Sequence, residues 1–77
     1  MTAAYKEKLQ GRYANYFKIG QNAFEFIVDF GQRYGEEETS QLHTRIVTSP
    51  VYAKRLLATL QEAVSHHEAT FGKVLDE

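Results

Sequence analysis

The 77-residue sequence contains no cysteine. Disulfides are therefore excluded as a source of stability, and their absence points to a reducing, cytoplasmic setting. No run approaches the ~20 apolar residues that a membrane-crossing helix needs. The opening "MTAAYKEKLQ" lacks the apolar core of a signal peptide, so a soluble, cytosolic protein with no membrane partner is expected. A strong excess of either charge is also missing. The formal net charge is −1, which exerts no overall pull toward nucleic acid or anionic lipid. Neither an internal repeat nor a low-complexity linker breaks the chain.

Such a length allows one domain, and a domain of this size buries only roughly 60% of its unfolded surface. Small scaffolds gain the missing stability from disulfides, metals or oligomerisation. With disulfides removed from that set, oligomerisation becomes the natural expectation. The small net charge hides an asymmetry that suits it. Lys6, Lys8, Arg12 and Lys18 outnumber Glu7 in residues 1–20, a balance of +3. Arg33 stands against Glu25, Asp29, Glu36, Glu37 and Glu38 in residues 21–40, a balance of −4. Complementary segments of this kind steer self-association, or are simply solvated surface.

Residues 1–12 read as a polar N-terminal arm and 13–77 as one domain. Strand signals begin at "YANYFKI", where Tyr13, Asn15, Phe17 and Ile19 alternate with Ala14, Tyr16 and Lys18. Gly20 and Asn22 follow as turn residues that tolerate positive φ. "AFEFIVDFGQ" then places Phe24, Phe26, Val28 and Phe30 on one face, with Ala23, Glu25, Ile27 and Asp29 on the other. Two extended runs across a short turn predict a β-hairpin. "GQRYGEEETSQ" reads as a loop or a frayed extension of a strand. "LHTRIVT" predicts a third strand, with Leu42, Thr44 and Ile46 opposed to His43, Arg45 and Val47.

The period then changes. Ser49 stands where an N-cap belongs, Pro50 at the first helical position, and Gly72 at a left-handed C-terminal position. Between them Ala53, Leu57, Leu60, Val64, His67 and Phe71 recur at spacings of three and four, widened by Leu56 and Ala63 into one apolar stripe. Lys54, Arg55, Thr59, Glu62, His66 and Thr70 mostly face away. The resulting fold class is α+β: a three-stranded antiparallel sheet in the order β-β-β-α, packed by one long C-terminal helix against the phenylalanine face. A helix of about 21 residues runs ~31 Å, whereas a seven-residue strand spans ~23 Å. The helix therefore overhangs, and Leu60, Val64, His67 and Phe71 are expected at a homodimer or higher-oligomer interface.

The segments "YANYFKIGQNAFEFIVDFGQ" and "RIVTSPVYAKRLLATLQEAV" and the later "FG" resemble a family of small bacterial and archaeal proteins, domain-of-unknown-function family 3467. The matching residues are Asp29, Phe30, Gly31, Gln32, Ser49, Pro50, Ala53, Lys54, Leu56, Leu57, Leu60, Phe71 and Gly72, and the likeness runs from about Tyr13 to Gly72. Where a Tyr-Glu pair is expected before the final Phe-Gly, His67 and Glu68 stand instead. The resemblance implies a compact α+β domain and carries no activity with it.

Asp29-Phe30-Gly31 spells a kinase's metal-binding tripeptide, but the glycine-rich loop, strand lysine and His-Arg-Asp loop it works with are missing. It reads instead as a buried Phe30 with Gly31 at a strand end or bulge. His66 and His67 are turned ~100° apart on a helix, so they do not chelate one ion as residues four apart do. His67 reads as a satisfied interface residue on the stripe and His66 as solvated, the alternative being a pH-sensitive oligomer interface, since histidine titrates near neutrality. Glu25 and Asp29 lie ~13 Å apart along a strand, too far for a carboxylate pair, and both are expected to face outward. Glu36-Glu37-Glu38 lacks a calcium loop's spacing and reads as a solvated tip. Ser49 lacks a nucleophile's context. No cofactor site emerges.

Two functional expectations remain. One is a non-enzymatic oligomeric module that binds another protein through the surplus apolar stripe. The other is single-stranded nucleic-acid binding on the open sheet face, where Tyr13, Tyr16 and Phe17 would stack bases and Lys18, Arg45 and the marginal Arg12 would hold phosphates. A sheet backed by one helix and paired into a dimer shares its outline with Pur- and Whirly-type folds. The negative net charge and the missing RNP1 pattern argue against this second expectation.

Overall fold

A computed structural model describes residues 9–35 and 40–76. The Glu36-Glu37-Glu38 tip and most of the N-terminal arm lie outside these. Three strands form, β1 (Tyr16–Gln21), β2 (Phe26–Arg33) and β3 (Ser40–Thr48), followed by helix α1 (Pro50–Phe71). The strands make an antiparallel open sheet in the order β1-β2-β3, so the α+β class and the β-β-β-α order are as the pattern predicts. By contacts the chain divides into two compact units. One comprises Met1–Gly20 and Ile27–Ile46; the other comprises Gln21–Phe26 and Val47–Glu77.

The first hairpin differs from expectation in its turn. Strand β1 runs through Gly20 to Gln21, and the chain reverses between Asn22 and Glu25. Glycine freedom plays no part here: among the described residues, positive φ occurs only at Gly35 and Gly72. The Asn22 side chain does the work instead. Its Oδ1 accepts from the N–H of Phe24 at 2.8 Å and of Glu25 at 3.0 Å, while the Asn22 N–H donates to the Glu25 carbonyl at 3.0 Å. Ala23 and Phe24, expected inside the second strand, are therefore the tip of the hairpin. Phe24 is 85% exposed, and of the expected face only Val28 is buried: Phe26 is half-buried, and so is Phe30, where the sequence predicts a buried ring.

Asn15 makes a second side-chain clasp just before β1. It donates to the Arg33 carbonyl at 3.2 Å and accepts the Arg33 N–H at 2.8 Å. This extends β2 to Arg33, beyond the expected strand end at Gly31. Within the sheet the buried positions are few. Val28, Asp29 and Gly31, all on β2, are the buried residues among those described.

Helix α1 begins and ends where its local signals predict. The Ser49 hydroxyl accepts the Tyr52 N–H at 3.3 Å, Pro50 occupies the first turn, and Gly72 closes the helix at φ 99° with its N–H on the Glu68 carbonyl at 2.9 Å. No residue of α1 is buried, although a helix of this composition is built to bury one face.

Candidate functional site

Two surfaces gather the residues singled out in the sequence. The first is the sheet around Asp29, Phe30 and Gly31. Each of the three ties β2 to a neighbour in a different way. The Asp29 carboxylate accepts both Arg45 Nε at 2.8 Å and Arg45 Nη2 at 2.9 Å, a bidentate pair across β2 and β3. These bonds hold its pKa below the ordinary carboxylate value against the opposing effect of burial, and the charges of Arg45 and Lys18 add to the lowering. Asp29 is thus ionised and buried at 7% exposure, not outward-facing as the strand pattern suggests.

Phe30 meets Phe17 of β1 edge-to-face, with ring centroids 5.8 Å apart at 85°. Gly31 is required by the close passage of β3. A Cβ there would stand 2.9 Å from both Gln41 C and Leu42 Cα and would collide with the Gln41 carbonyl oxygen. The tripeptide is a cross-strand clasp. Catalytic geometry is not built around it, and among the described residues no three His, Cys, Asp or Glu side chains gather as metal ligands do.

The face that carries Asp29 also carries most of the residues expected for nucleic acid. Lys18 is exposed and Tyr16 half-buried. Much of this set is already engaged within the chain. Arg45 is held on Asp29, the Arg33 guanidinium lies 4.8 Å over the Tyr16 ring, and Arg12 donates to the His43 carbonyl at 3.4 Å. His43 itself donates from Nε2 to the Tyr13 carbonyl at 3.0 Å, with the Thr44 hydroxyl 2.7 Å from Nδ1.

The second surface is the stripe of α1. Leu57 and Leu60 are each 57% exposed, Val64 43% and Phe71 75%. Leu57, Leu60, Gln61, Val64 and Ser65 line an open groove along it. His67 stacks on Phe71 one turn on, at 4.9 Å and 47°. The adjacent histidines and Glu68 do not converge. Glu68 caps the end of the helix, its carboxylate Oε2 accepting the Val74 N–H at 3.0 Å while its carbonyl takes Gly72. Leu60, Val64, His67 and Phe71 therefore lie together on one solvent-facing stripe, as the spacing requires.

Three features escaped the sequence: the Asp29–Arg45 pair, the Glu68 cap and the exposed Phe24. The first depends on strand register across a loop, which local pattern does not contain. For the third a signal was present, since Asn followed by two residues is an Asx-turn arrangement.

Among the described residues no helix is long and apolar enough to cross a membrane. A family model described as a protein of unknown function (DUF3467) matches residues 2–76. No curated protein and no solved structure matches the chain.

Proposed function

Because this chain belongs to the DUF3467 family, proteins of unknown function, its own surfaces must carry the reading, and we propose that it is a small, non-enzymatic, oligomeric protein-interaction module of the cytoplasm. The observation that carries this is the bare stripe of α1, a helix with two satisfied ends and no buried residue.

Leu57, Leu60, Val64 and Phe71 are all exposed along that stripe, and a contiguous exposed apolar surface is where proteins meet. The cytoplasmic setting rests on the absence of cysteine.

Size-exclusion chromatography with light scattering tests the reading. A dimer or larger species at micromolar concentration is expected. A monomer that also binds no hydrophobic dye would overturn it.

A second reading is favoured by one observation, the gathering of Tyr16, Lys18, Arg33 and Arg45 on one sheet face. On this reading the face binds single-stranded nucleic acid. The buried negative charge of Asp29 and its hold on Arg45 weigh against it. Filter binding to single-stranded DNA and RNA decides: phosphate contacts must weaken linearly with the logarithm of salt concentration, and no binding at low salt would end the idea.

A further inference from the structure

We propose that residues 10–14 form a strap, hinged at Asn15 and latched by His43, that opens as a unit while the sheet beneath it stays folded. The inference goes beyond the reading above and is independent of what covers α1.

The two ends of the segment are fastened in different ways. At one end Asn15 is fixed on β2. Its N–H donates to the Gly31 carbonyl at 3.0 Å, its carboxamide donates to the Arg33 carbonyl at 3.2 Å, and it accepts the Arg33 N–H at 2.8 Å. The residues before it meet β3 instead, and there only side chains hold them. His43 Nε2 donates to the Tyr13 carbonyl at 3.0 Å, and Arg12 Nη1 reaches the His43 carbonyl at 3.4 Å. Among the described residues no backbone-to-backbone bond ties residues 9–14 to a strand. Asn15 is therefore the firm end and His43 the releasable one.

Packing adds little to the hold. Leu9 is 63% and Tyr13 69% exposed, and of residues 9–14 only Ala14 is half-buried. An open hollow of about 220 Å³ is lined by Gln10, Arg12 and Ala14 from the segment and by Phe30, His43 and Thr44 from the sheet. A segment with so few buried apolar contacts opens locally, at a free energy below that of global unfolding. Opening it uncovers the Phe30 ring and the His43 imidazole, both half-buried with the strap in place. The strap thus governs access to this part of the sheet.

The latch has a defined chemistry. A carbonyl oxygen only accepts, so His43 Nε2 carries a proton. In the neutral ring Nδ1 then accepts from the Thr44 hydroxyl, 2.7 Å away. Thr44 thereby supports the tautomer that the latch requires.

Limited trypsin digestion read by mass spectrometry tests the proposal. It compares cleavage after Arg12, in the strap, with cleavage after Lys18, inside β1. Where reclosing is fast, cleavage reports the open population. His43→Ala is expected to speed cleavage after Arg12 by about fivefold, the loss of one hydrogen bond, and to leave cleavage after Lys18 at the parent rate. His43→Gln, whose amide N–H can donate to the same carbonyl, is expected to return cleavage after Arg12 to the parent rate. Imidazole nitrogen shifts in the parent are expected to show the Nε2–H tautomer. Equal cleavage after Arg12 in the parent and His43→Ala, no rescue by His43→Gln, or an Nδ1–H tautomer would overturn the latch. Cleavage after Lys18 that rises in step with that after Arg12 would reveal one global opening and overturn the strap.

Discussion

Strand β2 and helix α1 are both regular and apolar, yet they satisfy themselves in opposite ways. The strand holds every buried position among the described residues, and its Asp29, Phe30 and Gly31 each engage a neighbouring strand. The helix has no buried residue. Ser49, Gly72 and Glu68 close those ends through hydrogen bonds local in sequence, and the stripe between them is left to solvent. Positions on β2 should therefore govern whether the chain folds, and positions on the α1 stripe whether folded chains associate.

The largest expected effect breaks the strand side of this contrast. Gly31→Ala drives a methyl group into the backbone of β3, which has no flexible side chain to move aside. A loss of about 3 kcal/mol is expected, seen as a melting temperature lowered by more than about 10 °C. An unchanged melt would show that the close passage at Gly31 is not required.

The helix side comes next. Leu60→Ala should weaken association by about 30-fold, from the ~2 kcal/mol that a buried leucine contributes. Sedimentation measures it, with the sheet's own contacts unaffected.

A smaller effect tests whether the helix is locally determined. Ser49→Ala removes the hydroxyl that accepts the Tyr52 N–H and should cost about 1 kcal/mol in thermal melts.

The narrowest effect is confined to acid. The Asp29 carboxyl is held below its ordinary value in the folded chain. Its contribution to stability is therefore complete above the unfolded carboxylate pKa of about 4 and is lost as pH falls through the lower folded value. Asp29→Asn should flatten that part of the pH profile.

The contrast also explains which elements were legible in the sequence. Helix α1 was readable to its ends because capping at Ser49, the position of Pro50 and closure at Gly72 are decided by residues close in the chain. The strand order was readable from alternation. The hairpin turn was misplaced because alternation of Phe24 with Phe26 and Val28 looks like continuing strand, while the Asn22 side chain ends it. The outward placement of Asp29 failed for a different reason. Its partner Arg45 lies 16 residues away, and the register that brings them together is not a local property. The apolar stripe of Leu60, Val64, His67 and Phe71 was visible, but what covers it is not written in any one chain.

That cover is the central claim, and the accessibility of the stripe in solution tests it most directly. With methyl-labelled leucine and valine, a soluble paramagnetic probe reports which side chains meet water at micromolar concentration. The account predicts that Leu57, Leu60 and Val64 are protected, and that dilution exposes them. Methyl signals of these residues that are fully accessible at every concentration would contradict it.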